Sequence, residues 1–141
     1  MINIHASCVE YQGKGILILG APGFGKSDLC LKMILNHGAT LVSDDRVDLQ
    51  KKEDEVFAAA PENISGLLEA RGVGILKLPC LKKIKIFAVV QIIPEEEKLE
   101  RLPQNEVYEL MSVSLPLLKI KKFDPSGIEK IIAFVRYPKI Q

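Results

Sequence analysis

The chain has 141 residues, 48% of them hydrophobic, and 19 Lys and Arg stand against 18 Asp and Glu for a net charge of +1. That length suits a single domain over residues 1–141 with its own core, and the charge balance excludes a whole-molecule field for gathering nucleic acid or an anionic membrane. Cys8, Cys30 and Cys80 form no C-x-x-C pair, no apolar run nears the roughly 20 residues that span a bilayer, and Met1–Ala6 has no leader pattern, so a reducing, cytoplasmic setting away from membranes is expected.

A first strand is expected at Ile2–Ile4. Gly15–Leu19 is a short, branched apolar run bounded by glycines and reads as a buried strand. After a loop at Gly20–Gly25, a helix is predicted over Lys26–Asn36, with Leu29, Met33 and the Ile34/Leu35 pair on its apolar face and Gly38 as its stop. Ala39–Val42 is again short and apolar. Strand, loop, helix and strand form a βαβ unit with two parallel strands. Val47–Phe57 alternates loosely, which predicts antiparallel strands around a Lys51–Glu55 turn. Ile64–Ala70 reads equally as a short helix or an extended segment, and a strand is predicted at Ile75–Leu78 after the loop Arg71–Gly74. Ile84–Ile93 is the clearest strand of the second half, ended by Pro94 and the acidic run Glu95–Glu97. A strand at Leu115–Ile120 and a helix at Ser126–Val135, with an apolar stripe of Gly127, Ile128, Ile131, Ile132 and Val135, complete the chain. Together these elements predict an α/β fold, a P-loop-containing mixed sheet with flanking helices.

The main chemical signal is Gly20-Ala21-Pro22-Gly23-Phe24-Gly25-Lys26-Ser27, a G-x-x-x-x-G-K-[ST] match between a predicted strand and a predicted helix. By average residue usage it arises by chance in roughly one of a few hundred chains of this length. The glycines let backbone N–H groups turn toward phosphate oxygens, and the helix N-terminus adds partial positive charge. Lys26 would reach the terminal phosphates and Ser27 would offer its hydroxyl to Mg²⁺. Asp44 and Asp45 follow the strand after the helix, at the sheet edge where parallel strands place their carboxyl ends. If the strand continues through them they point to opposite faces, so one of the two is expected to aim at the phosphates. His5 is an isolated candidate, while His37 near a helix C-terminus has a structural explanation. Glu69 and Arg71, beside Gly72 and Gly74, are open to loop chemistry or to simple turn formation. Charge is uneven along the chain: net −4 over residues 1–70 and +5 over 71–141. The basic half, with Lys82, Lys83, Lys85, Lys119, Lys121 and Lys122, is solvated surface or a place to dock an acidic partner or nucleotide phosphates.

His5, the loop Gly20–Ser27, Val42-Ser43-Asp44-Asp45 and Leu68-Glu69-Ala70-Arg71-Gly72-Val73-Gly74-Ile75 together resemble the catalytic domain of bacterial HPr kinase/phosphorylase. Its order is a histidine, G-x-x-G-x-G-K-S, V-A-D-D and L-E-I-R-G-L-G-I. The resemblance covers His5 to Ile75 and thins afterward. It implies a fold similar also to phosphoenolpyruvate carboxykinase, and an ATP- and Mg²⁺-dependent protein serine kinase that modifies HPr, the phosphocarrier of the sugar phosphotransferase system. By the same resemblance Lys26 is the loop lysine, Ser27 a Mg²⁺-binding serine, Asp45 the aspartate that accepts the serine proton, and His5 a catalytic histidine. Glu69 would contribute to the Mg²⁺ site, Arg101 matches a catalytic arginine by order, and Asp44 and Arg71 stand beside these as supporting residues.

The family implies a homo-hexamer, and its usual N-terminal domain precedes the catalytic one, so the short, catalytic form is the expectation. Its basic P-V-R-P-G-R-N phosphorolysis motif has no clear equivalent here, Leu115–Gly127 being the nearest stretch, so phosphorylase activity is less supported than kinase activity. Two further readings are a P-loop kinase or NTPase with another acceptor, and a nucleotide-binding regulatory module with little catalysis. A GTPase is disfavoured: Asp124-Pro-Ser-Gly127 has the D-x-x-G form, but N-K-x-D is absent.

Overall fold

In the computed structural model, residues 1–140 are described, and they form eleven strands and two α-helices. The strands are β1 (Ile2–His5), β2 (Ser7–Tyr11), β3 (Lys14–Leu19), β4 (Thr40–Ser43), β5 (Arg46–Lys52), β6 (Glu55–Ala59), β7 (Leu67–Ala70), β8 (Gly74–Lys77), β9 (Ile84–Ile93), β10 (Glu106–Leu110) and β11 (Val113–Lys121). The helices are α1 (Lys26–His37) and α2 (Gly127–Arg136). Nine strands join in one curled sheet, in the order β1-β5-β6-β9-β3-β2-β4 with β11 and then β10 beside β9; β7 and β8 make a separate hairpin.

The curl comes from β9. Its first residues pair antiparallel with β6, whereas its remaining length pairs parallel with β3 and β11. The sheet therefore doubles over itself, and strand alternation divides its side chains between two cores. Val9, Ile16, Ile18, Leu41, Val90 and Ile92 face the helices. Their neighbours Cys8, Leu17, Val42 and Val89 face Val47, Leu49, Val56 and Ala58 of the β5–β6 layer. Strands buried on both faces need unbroken apolar runs, which is why β3 and β9 stand out in the sequence. Full burial of one such side chain stabilises the fold by about 1.5–3 kcal/mol. Gly15 is required by packing: a Cβ there would lie 2.4 Å from the Lys85 carbonyl oxygen, so β3 meets β9 only if that position is bare.

The predicted βαβ unit forms, with one revision. β3 and β4 are parallel but not neighbours, because β2 lies between them and pairs antiparallel with both. Polar Ser7 and Glu10 interrupt the apolar pattern of β2 and hid it in the sequence. β10 was likewise unmarked, because an edge strand can carry the charged residues of Glu106–Leu110 without burying them. The ambiguous 64–70 segment resolves into a short 3-10 turn, Glu62–Ile64, followed by strand β7.

Helix α1 begins on the glycine loop and ends where Gly38, at φ 74°, donates its N–H to the Met33 carbonyl. Its buried face is Lys26, Cys30 and Met33, with Leu29 and Ile34 at the flanks, while Leu35 is 70% exposed. At 100° per residue Leu35 lies on the far side of the helix from Met33 and faces out, whereas Cys30, one turn before Met33, completes the buried face. α2 buries Gly127, Ile131 and Val135 as its stripe predicts. All three cysteines are free, and burial pushes the Cys8 and Cys30 thiols above their ordinary range. Among the described residues, no helix is long and apolar enough to cross a membrane.

Candidate functional site

β3, β4, β9 and β11 run in the same direction, so the segments after their carboxyl ends gather at one edge of the sheet. The Gly20–Ser27 loop follows β3 there. Gly23 and Gly25 hold φ of 82° and 86°, a left-handed geometry that L side chains resist, and the Leu29 N–H to Gly25 carbonyl bond of 2.9 Å starts the helix. Lys26 is 7% exposed, and its Nζ donates to the carbonyls of Gly20 at 2.6 Å and Ala21 at 3.3 Å. Burial lowers its pKa below the usual lysine value, against an opposing pull from the carboxylates of Asp45 and Asp44. The loop thus confines a cation whose hydrogen-bond acceptors among the described residues are neutral carbonyls, which favours an incoming anion.

Asp44 and Asp45 lie just past β4, in a turn rather than in the strand. Asp45 adopts φ 74°, and Arg46 N–H closes on the Asp44 carbonyl at 2.9 Å. Strand alternation therefore stops at Ser43, and the turn sends the two carboxylates different ways: Asp45 lines the cleft, and Asp44 turns inward onto Ser27 and Ser7. Asp44 is buried and accepts hydrogen bonds from Ser27 Oγ at 2.8 Å and Ser7 Oγ at 2.8 Å. Asp45 is open to solvent, and its carboxylate lies 3.4 Å from His5 Nδ1. That pairing follows from sheet register: β1 runs antiparallel to β5 with His5 opposite Arg46, which puts His5 next to the turn.

These groups line a cleft of about 440 Å³. Its floor is the loop with Lys26 and Ser27; His5, Ser7 and Asp45 form one wall, and Glu69, Ala70 and Arg71 of the β7–β8 hairpin another. Asp28 and Leu31 of α1 and Phe123, beyond β11, complete it. Of the expected residues, His5, Lys26, Ser27, Asp45, Glu69 and Arg71 converge, and Asp44 joins them through Ser27. Arg101 does not: it is exposed in the segment after β9 and does not line the cleft. Sequence reasoning missed Ser7, Leu31 and Phe123. Ser7 gave no motif because one hydroxyl in a short strand is common; Phe123 left a trace as an aromatic in a Lys-Lys-Phe-Asp-Pro turn.

Among the described residues no group of three or more His, Cys, Asp or Glu side chains is placed to hold a metal ion by itself. Ser27 Oγ and the Asp44 carboxylate are hard oxygen donors next to the phosphate loop, a set that suits Mg²⁺ arriving with phosphate oxygens.

A sequence profile of the HPr Serine kinase C-terminal domain matches residues 1–135. HPr kinase/phosphorylase of Clostridium tetani is 34% identical over 111 residues, 79% of this chain and 36% of that protein. The protein of the same name from Geobacillus thermodenitrificans is 34% identical over 128 residues, 83% and 41% of the two chains. That from Caldanaerobacter subterraneus is 35% identical over 130 residues, 84% and 42%. The chain thus spans 36% to 42% of the length of these curated relatives. The solved structure of the Hpr(Ser) kinase/phosphatase from Coxiella burnetii matches with a TM-score of 0.85 at 22% identity, over 96% of this chain and 97% of that one, a likeness of fold. The profile match over nearly the whole chain, together with the loop, acidic turn and hairpin meeting in one cleft, makes this chain a member of the HPr serine kinase C-terminal domain family.

Proposed function

We propose that this chain is the catalytic part of an ATP- and Mg²⁺-dependent protein serine kinase whose acceptor is HPr. The observation that carries the reading is the solvent-facing Asp45 carboxylate, beside His5 at the mouth of the cleft whose floor is Lys26 and Ser27. A base at an open rim suits an acceptor that brings its hydroxyl on a folded protein surface. The relatives' names supply the identity of that protein. Cytoplasmic location and a homo-hexamer go with this reading, and no nucleic acid or membrane partner does.

Phosphoryl transfer rests on positioning and charge neutralisation. Loop N–H groups and the Lys26 ammonium would hold the terminal phosphates, with Lys26 exchanging its carbonyl partners for phosphate oxygens. Mg²⁺, carried by the phosphates and held through Ser27, Asp44 and Glu69, would supply charge neutralisation. Asp45 accepts the serine proton as the serine oxygen bonds to the γ-phosphorus, while the bond from that phosphorus to the bridging oxygen breaks and ADP departs. His5 lies within reach of the Asp45 carboxylate and orients it. In the reverse sense, protonated Asp45 returns its proton to the serine oxygen as inorganic phosphate attacks phosphoserine, yielding pyrophosphate. The phosphorylase in the relatives' name favours testing that second activity.

Incubation with Mg²⁺-ATP and HPr should add one phosphate to HPr by intact mass. Asp45→Asn should abolish transfer and spare nucleotide binding. Nucleotide binding without transfer by the unaltered protein would overturn the kinase reading, and unchanged transfer by Asp45→Asn would overturn the choice of base. Inorganic phosphate with phosphoserine-HPr, assayed for pyrophosphate, tests the reverse reaction.

A further inference from the structure

Phe123 is placed against the burial and backbone preferences of an aromatic residue. It is 73% exposed, so it contributes little to the core, and it sits at φ 65°, a left-handed conformation that a bulky side chain avoids. Hydrogen bonds secure the turn that carries it: Lys122 N–H donates to the Ile93 carbonyl at 2.8 Å and Asp124 N–H to the Lys121 carbonyl at 3.1 Å. The ring is therefore held at the carboxyl-end edge of the sheet against its own packing and backbone preferences.

The position of the ring supplies a reason. Phe123 borders both the phosphate cleft and a second cavity of about 270 Å³, whose other walls are Phe24, Lys122, Pro94, Glu95 and Glu96. Phe24 belongs to the phosphate loop itself. Lys122 Nζ lies 4.9 Å from the Phe24 ring centroid and 4.8 Å from that of Phe123, so one cation bridges two aromatic rings. The second cavity thus combines an aromatic face, a cation and two carboxylates, directly beside the place where phosphates would bind. Inorganic polyphosphate could use only the cation. The nucleoside half of a purine nucleotide uses all three, since its base stacks on an aromatic face and its amino and hydroxyl groups donate to carboxylates.

We propose that the cavity between Phe24 and Phe123 is the nucleoside subsite of the nucleotide, with the purine base stacked on the Phe123 ring and Glu95 and Glu96 accepting from its N–H and ribose O–H groups. This rests on the nucleotide reading of the phosphate loop and adds to it the residue that distinguishes a nucleotide from a bare polyphosphate.

The test compares Mg²⁺-ATP with Mg²⁺-tripolyphosphate by titration calorimetry on the unaltered chain, Phe123→Ala and Phe123→Tyr. Loss of one base-aromatic stack should raise the Kd for ATP about tenfold in Phe123→Ala, with Phe123→Tyr close to the unaltered protein. Tripolyphosphate should bind all three equally, which also shows that the variants are folded. ATP affinity unchanged in Phe123→Ala would overturn the subsite alone, as would an equal loss for both ligands. Failure of both ligands to bind the unaltered protein would overturn the nucleotide reading, and the subsite with it.

Discussion

Replacing Ser7 with alanine tests whether the acidic turn is organised by the strand that the sequence concealed. Ser7 is 1% exposed; its hydroxyl donates to Asp44 Oδ1 at 2.8 Å and accepts the Asp45 N–H at 3.3 Å. One side chain therefore holds the buried carboxylate and the backbone that turns the exposed one toward His5. Among the described residues, Ser7→Ala leaves Asp44 with Ser27 as its only side-chain donor and strips a partner from the Asp45 N–H. A hydrogen bond to a charged group contributes about 1.5–3 kcal/mol, so a destabilisation of about 2 kcal/mol is expected. With an unfolding entropy of about 2.1 cal/mol/K per residue, that lowers Tm by about 7 °C for a chain of this length. Urea unfolding should show a lower midpoint at unchanged slope. On the proposed kinase reading, phosphoryl transfer to HPr should fall by more than nucleotide affinity, because Asp45 moves while the phosphate loop stays. Ser114→Ala, which removes an exposed hydroxyl bonded to Glu109, is the control and should shift stability by less than about 0.5 kcal/mol. An unaltered midpoint in Ser7→Ala would refute the energetic argument, and a lowered midpoint with full transfer activity would refute the positioning argument.

Lys26→Met should destroy phosphate binding and yet stabilise the ligand-free chain at pH 7. Burial depresses the folded-state pKa of Lys26, so the cost of its charge is fully present below that depressed value and is lifted as pH rises toward the ordinary lysine value. The gap in urea midpoint between Lys26→Met and the native chain should therefore narrow from pH 7 to pH 10; a less stable variant at pH 7 would refute this. Asp124 accepts from Ser126 N–H at 2.8 Å and from Lys130 Nζ at 2.6 Å, and the lysine chiefly holds its carboxyl below the usual range. The stabilisation is present above the ordinary carboxylate pKa and is lost as pH falls through the depressed folded value. Because Lys130 is largely in water, Asp124→Asn should cost only about 0.5–1 kcal/mol at pH 7, and that difference should fade in acid urea titrations.

The parts of this protein legible in its sequence are those whose geometry is set within a few residues. Gly23, Gly25, Lys26 and Ser27 specify a phosphate loop because backbone conformation and the start of a helix are local properties. The short, largely unbroken apolar runs of Gly15–Leu19 and Ile84–Ile93 specify strands buried on both faces for the same reason. Cys30 buried and Leu35 exposed on α1, and Asp45 turned back toward the loop, depended on surroundings that no short window contains. The site itself was decided by sheet register. His5 reaches Asp45 because β1 lies antiparallel to β5, Ser7 reaches Asp44 because β2 lies between β3 and β4, and Phe123 flanks the phosphate loop because β11 runs parallel to β9. Pairings between distant strands are selected by the whole buried surface they create, and so the sequence could name most of the chemistry while only the folded sheet could assemble it.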